Sequence, residues 1–265
     1  VLYQKHRPKR FAQIVGQSPA IEQARRILAG GWGGRAWWLS GPSGTGKTSL
    51  AFIIARLGAD DWCIEEIDAS DLTAQRLAEI ERTMQLCGMG SRPGRCWIVN
   101  EAHGLRRSDV IRQLLTLLER LPGHVVWIFT TTDHGEQLLI EDLADADPLL
   151  SRCHRLSLQI DLERFARLAQ RIARRENLNG YPLDTYRALA RLHGGNLRAM
   201  LGAIEAGAFP SPEQLAAPAP APAEVSPASP AAGVCPICGG PMGALKKFCS
   251  TGCYFEHLRR IKRKR

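Results

Sequence analysis

The eight residues Gly41-Pro42-Ser43-Gly44-Thr45-Gly46-Lys47-Thr48 constrain this chain more than any other stretch, because they satisfy G-x-x-x-x-G-K-[ST] at every fixed position. Glycines let the backbone turn tightly enough for successive N–H groups to converge on phosphate oxygens. Lys47 neutralises the terminal phosphates, and Thr48 offers a hydroxyl to Mg²⁺. Such a loop needs a strand before it and a helix after it. Ala36-Trp37-Trp38-Leu39-Ser40 reads as a buried strand, and Ser49 to Leu57 carries helical apolar spacing.

The same alternation continues downstream. Cys63 to Ile67, Cys96 to Val99, Val125 to Thr130 and Arg155 to Leu158 are short runs with the composition of strands. Leu72 to Leu86 and Asp109 to Leu121 are helical between them; in the second, Val110, Leu114, Leu117 and Leu121 recur at three- and four-residue steps. Strand and helix in alternation predict an α/β fold with a parallel sheet covered on both faces. Beyond about residue 160 the pattern is helical alone, over Leu162 to Glu176, Leu183 to Leu192 and Asn196 to Ala206, which predicts a small helical bundle attached to the nucleotide domain. Glu136 to Asp147 is acidic and reads as a solvated loop.

From Ala208 to Ala232 there are seven prolines among alanines and serines and no Lys or Arg, the composition of an extended linker. Charge is unevenly placed. The total is +9, of which residues 233–265 carry +7 and residues 1–10 carry +4, leaving −2 for the middle. An anionic partner is therefore expected at the ends. No apolar run reaches the length of a membrane span, and no secretory signal pattern opens the sequence, so a cytoplasmic location is expected.

Eight cysteines fall into two groups. Cys63, Cys87, Cys96 and Cys153 are scattered singly, as small buried hydrophobes would be. Cys235-x2-Cys238-x10-Cys249-x3-Cys253 is a cluster whose spacing suits a tetrahedral structural Zn²⁺, with His257 as an alternative ligand. Directly after it come Arg259, Arg260, Lys262, Arg263, Lys264 and Arg265, six cations in seven residues. Such a run releases counterions from phosphates and favours sequence-independent, salt-sensitive binding of nucleic acid, DNA first, with RNA as another anionic partner.

Cys96-Trp97-Ile98-Val99-Asn100-Glu101-Ala102-His103 has the form of a Walker B strand, four apolar residues followed by an acidic pair, with Asn100 where Asp is usual. An amide accepts hydrogen bonds from metal-bound water but carries no charge. Glu101 keeps the carboxylate that polarises water, so hydrolysis is expected to survive, slowed.

Together with Tyr3-Gln4-Lys5-His6-Arg7-Pro8, Phe11, Ile14-Val15-Gly16-Gln17, Ile67-Asp68-Ala69-Ser70, Phe129-Thr130-Thr131-Thr132-Asp133 and Leu150-Ser151-Arg152-Cys153, these motifs make the chain resemble AAA+ clamp-loader ATPases, the replication factor C small subunits and bacterial gamma/tau subunits. The resemblance spans roughly residues 1–206 and implies an AAA+ P-loop NTPase domain over 1–159 and a helical lid over 160–207. A disordered linker (208–232), a treble-clef or TRASH-like zinc finger (233–258) and a basic tail (259–265) would follow. It implies ATP and Mg²⁺ as ligands, the latter held by Thr48 and Asn100, and an adenine pocket drawing on Arg7, Pro8 and Val15. By the same likeness Thr131 is the sensor 1 residue, with Thr130 and Thr132 leaving the register open by one. Arg198 is the sensor 2 arginine, and Arg152 is an arginine finger serving ATP on the adjacent subunit. The implied partners are DNA, other clamp-loader subunits in an oligomer and a sliding clamp; the implied activity is ATP hydrolysis in replication or repair. A non-hydrolysing ATP-binding adaptor is the alternative. Two departures stand out. The family's helical collar is replaced by the linker and cysteine cluster, which argues against autonomous pentamer formation, and the four-cysteine insert of gamma/tau is absent between phosphate loop and Walker B.

Overall fold

In the computed structural model, residues 1–142, 146–178 and 180–210 are described. The predicted finger (233–258), the basic tail and the linker beyond Pro210 lie outside these residues, with Cys235, Cys238, Cys249 and Cys253 among them.

The chain begins with α1 (Leu2–Lys5) and α2 (Ser18–Ala29), followed by β1 (Arg35–Ser40) and α3 (Lys47–Ala55). It continues through β2 (Ala59–Asp68), α4 (Ala74–Thr83), β3 (Gly94–Asn100), α5 (Ser108–Glu119) and β4 (Val125–Thr130). Two helices, α6 (Asp133–Asp142) and α7 (Ala146–Ser151), precede β5 (Cys153–Ser157); α8 (Leu162–Arg175), α9 (Leu183–Leu192) and α10 (Leu197–Glu205) complete the described chain. All strand pairs are parallel, in the order β2-β3-β4-β1-β5. The phosphate loop therefore leaves an interior strand, and β3 and β4 end beside it.

Alternation along the strands divides the apolar side chains between two cores, as burial on both faces of a parallel sheet requires. Trp38, Trp97, Val99, Trp127 and Phe129 pack on one face against α4, α5 and α7. On the other, Trp37, Leu39, Cys96, Ile98, Val126 and Ile128 pack against α2 and α3. Four strand tryptophans are buried as expected, and Trp97 stacks on Trp127 with centroids 5.7 Å apart. Each such ring contributes about 2–3 kcal/mol by burial, so these four fix the register of the sheet more than any surface pair.

A third core belongs to the lid. Phe165, Ala169, Ile172, Tyr186, Leu189, Met200 and Leu201 from α8 to α10 pack together, and Leu2 of α1 enters the same cluster. The helices start where side-chain acceptors allow: Asp161 accepts from the Arg164 amide at 2.9 Å and Asn196 from the Ala199 amide at 3.2 Å. Phe209 stacks on Tyr181 with centroids 4.0 Å apart, so the first residues read as linker are packed on the lid.

Three readings change. Helix α2 was not expected from sequence; Pro19 in its first turn and buried Ala20, Ile21 and Ala24 are its signature. The acidic loop expected over Glu136 to Asp147 is largely helix, since Asp133–Asp142 and Ala146–Ser151 are both helical. Glu136 is buried and pairs with Arg155 of β5, so a carboxylate expected in water anchors a helix to the sheet. Of the lone cysteines, Cys63 and Cys96 are buried, but Cys87 is exposed. Burial pushes the Cys153 thiol up to about 12, so it stays protonated and inert.

Candidate nucleotide-binding site

A cavity of about 250 Å³ opens where the loop between β1 and α3 meets the lid and the N-terminal segment. Ser43 to Ser49 form one wall, Arg7, Pro8, Ile14 and Val15 a second, and Phe165, Leu168, Ile172, Leu197 and Leu201 a third. Glu101, Thr130 and Arg198 line it as well. Apolar lid, polar loop and a few converging charges are what a nucleotide requires of a pocket.

The loop geometry follows from its glycines. Gly46 has φ +101°, a left-handed conformation open to glycine, and starts α3 at Lys47. Gly44 has φ +79°, and a Cβ there would come 2.1 Å from Asn196 Oδ1 of the lid. The loop thus passes under the N-cap of α10 at a distance only glycine permits. Among the described residues, no amide from Gly44 to Ser49 has a hydrogen-bond acceptor. These donors, at the positive end of α3, are ready for an anion.

Lys47 Nζ donates to the carbonyls of Gly41 at 2.7 Å and Pro42 at 2.9 Å, folding back over the loop. Burial pushes its pKa down and Arg198 adds to this, while Glu101 and Asp133 oppose. A cation whose charge is disfavoured in this way is stabilised by an incoming phosphate. The donor set, the glycine cradle and the buried ammonium fit a nucleoside triphosphate.

Glu101 follows β3 with φ +50°, strain of about 1–2 kcal/mol for a residue with a Cβ. That turn carries its carboxylate to the cavity, where it sits 3.5 Å from His103 Nδ1. His103 Nδ1 lies 3.2 Å from Thr131 Oγ1. Thr130, one residue earlier, lines the cavity and donates to Asn100 Oδ1 at 2.9 Å. The structure therefore places Thr130 at the cavity wall and Thr131 behind it against His103. Asn100 Nδ2 donates to Glu66 Oε1 at 2.6 Å, so both ends of the amide are engaged.

The N-terminal segment joins the lid to the loop. His6 Nε2 is 2.7 Å and Lys5 Nζ 2.6 Å from the carboxylate of Glu176, just past α8. Lys5 first, then His6, hold that carboxylate below its usual range. Arg7 lies over the Phe52 ring at 4.7 Å, and Arg198 over Tyr3 at 5.3 Å. Sequence reasoning gave no role to Tyr3, Gln4 and Asp133, although they stand in motifs, and it missed Asn196 and Glu66. Gly41 and Pro42 act through their carbonyls on Lys47.

Arg152 does not join this group. It sits between α7 and β5, bonded to Glu119 of α5 and to the Pro148 carbonyl at 2.8 Å. No group of three or more potential metal ligands occurs among the described residues. None of their helices is long and apolar enough to cross a membrane.

Residues 37–163 match the family model described as "ATPase family associated with various cellular activities (AAA)". The match covers just under half of the chain, from β1 to the start of α8. It is 29% identical over 232 residues to the DNA polymerase III subunit gamma/tau of Mycobacterium bovis, covering 77% of this chain and 38% of that protein. It is 29% identical to the tau subunit of Escherichia coli, covering 75% and 33%. It is 27% identical to the replication factor C small subunit of Methanosarcina barkeri, covering 80% and 62%. The chain thus spans under two-fifths of these bacterial relatives. Among solved structures, the Thermotoga maritima RuvB Holliday junction branch migration motor superposes on this chain with a TM-score of 0.58 at 20% identity, covering 76% of this chain and 64% of that one, a likeness of fold.

Proposed function

We propose that the chain is a clamp-loader-type AAA+ ATPase that binds ATP at a subunit interface and acts in DNA replication or repair. One observation carries this reading: Lys47, Glu101 and Arg198 meet at a single cavity beneath a loop whose amides are free to bind phosphate. Similarity to gamma/tau and replication factor C small subunits over three-quarters of the chain supports the clamp-loader class.

In this reading, the Gly44 to Ser49 amides and Lys47 grip the phosphates. Lys47 must leave the Gly41 and Pro42 carbonyls to do so, which exchanges two neutral acceptors for a charged one. Thr48 and Asn100 would hold Mg²⁺, which would supply neutralising charge at the phosphates. Glu101, fixed by its left-handed turn and His103, orients and polarises the attacking water. Arg198, at the start of α10, couples the γ-phosphate to the lid, and Thr130 or Thr131 senses it from β4. Arg7, Pro8 and Val15, with the apolar lid side chains, hold the base. Arg152 acts on ATP bound by a neighbouring subunit. Steady-state hydrolysis with and without primed DNA tests the reading; turnover stimulated by DNA supports it.

A non-hydrolysing adaptor is the second reading, favoured by Asn100, whose amide is engaged at both ends and brings no charge. ATP binding without turnover under either condition selects it. In both readings Cys235, Cys238, Cys249 and Cys253 bind one Zn²⁺, and the tail at 259–265 contacts DNA. Support for this is their spacing and charge. Elemental analysis is expected to give one zinc per chain, lost on replacing Cys238 and Cys253 by Ser.

A further inference from the structure

Asn100 is where this chain departs from its motif, and its surroundings show what stands in for the missing charge. Strand alternation puts Ile64 and Glu66 of β2, Ile98 and Asn100 of β3, and Ile128 and Thr130 of β4 on the same face of the sheet, the face that packs against α3. Asn100 and Thr130 are the last members of their rows; in β2, Asp68 lies in register with Asn100 and Glu66 stands one step before it, beside Ile98. Glu66, Asn100 and Thr130 form one hydrogen-bonded line: Thr130 Oγ1 donates to Asn100 Oδ1 at 2.9 Å, and Asn100 Nδ2 donates to Glu66 Oε1 at 2.6 Å. The line runs from Thr130, which lines the cavity with Thr48 of the first turn of α3, through Asn100 to Glu66 one step back on β2.

The amide is required for that line. An Asp at position 100 has no N–H to donate to Glu66, so the line would be broken there and two carboxylates would face one another. Asn100 instead donates to Glu66 and fixes its direction. Glu66 is exposed, so it remains accessible to a hydrated ion. Its field also reaches the cavity wall: burial pushes the Arg7 guanidinium down, Glu66 pulls it back up, and Arg56 and Arg198 oppose it.

We propose that Glu66 supplies, from the neighbouring strand, the negative charge that a hydrated divalent cation needs beside Thr48, with Asn100 as the arm that orients it. This rests on the nucleotide reading above. It makes Glu66 a positioning carboxylate acting through ordered water, and it makes Asn100 part of a relocated acidic site.

The test is a Mg²⁺ titration of mant-ATP binding to the full chain, read by fluorescence anisotropy without reference to turnover. Glu66→Gln is expected to raise the Mg²⁺ concentration for half-maximal binding about tenfold or more, as loss of an outer carboxylate does at metal sites. Asn100→Asp in the Glu66→Gln background is expected to return it close to the parental value, because the charge has been moved back by one strand. Asn100→Asp alone is expected to give a much smaller gain, since Glu66 already supplies a charge there. An unchanged Mg²⁺ midpoint in Glu66→Gln overturns the proposal, as does an equal gain from Asn100→Asp in both backgrounds. Failure of the parental chain to bind mant-ATP at any Mg²⁺ concentration overturns the nucleotide reading instead.

Discussion

The cavity beneath the lid and the edge around Arg152 are built from the same stretch of motifs and are finished to different degrees. At the cavity, donors stand without acceptors: the Gly44 to Ser49 amides have no partner among the described residues, and Lys47 turns back on its own loop. At the edge, Arg152 has two partners, the Glu119 carboxylate and the Pro148 carbonyl. The first region is a site awaiting an anion, the second a cation satisfied for the present by its own chain. In the proposed reading Arg152 serves a neighbouring subunit and has to be kept in place until the neighbour arrives, which a half-exposed ion pair does at little cost.

If that contrast is right, mutations at the two regions separate binding from turnover. Arg152→Ala is expected to lower hydrolysis by mixed assemblies about a thousandfold, the scale of an arginine finger, while leaving the mant-ATP affinity of the isolated chain unchanged. A loss of affinity in the isolated chain would place Arg152 in its own site and collapse the distinction. Lys47→Ala is the converse. It removes charge-assisted hydrogen bonds worth about 3 kcal/mol together, so affinity is expected to fall about a hundredfold, measured by the same anisotropy.

How far these regions could be read from sequence differs for the same physical reason. The phosphate loop and the ends of β3 and β4 are local, since spacing along the chain fixes where Lys47, Thr48 and Glu101 stand once strand precedes loop and loop precedes helix. The parallel sheet was legible from alternating patterns, with four tryptophans buried as their strands demanded. What sequence did not show was every pairing made across chain distance. Glu176 meets Lys5 and His6 from about 170 residues away, Glu119 meets Arg152 from 33, and Glu136 meets Arg155 from 19. A charge pattern alone made Glu136 a solvated carboxylate, because periodicity is silent about which face of a helix meets the sheet. The threonine register at β4 was open for the converse reason: three identical side chains in a row carry no phase, and the pleat decides that Thr130 faces α3.

Gly44→Ala sharpens the comparison from the cavity side. The added methyl meets Asn196 Oδ1 at 2.1 Å in a left-handed backbone. Left-handed strain of about 1–2 kcal/mol plus displacement of the lid helix N-cap is expected to weaken mant-ATP binding about tenfold. Turnover supplied in trans through Arg152 should be unaffected when this chain is only the donor, which mixing with a Glu101→Gln, Arg152→Ala partner would not reveal but mixing with an Arg152→Ala partner does.

The smallest effect is the most informative about the edge. Glu119→Gln removes one carboxylate from an ion pair in which Glu119 is 54% and Arg152 31% exposed, an interaction worth at most about 1 kcal/mol after solvent screening. Thermal stability should therefore hardly move. If the pair parks the guanidinium, freeing it changes how readily Arg152 reaches a neighbour, and turnover of the assembly at limiting subunit concentration is expected to rise by up to about fivefold. The gain should shrink as salt rises, because added ions weaken the parental pair and leave less for the substitution to remove. A fall in turnover would instead mean that Glu119 aims Arg152, holding it extended toward the neighbour, and the edge would then be as preorganised as the cavity.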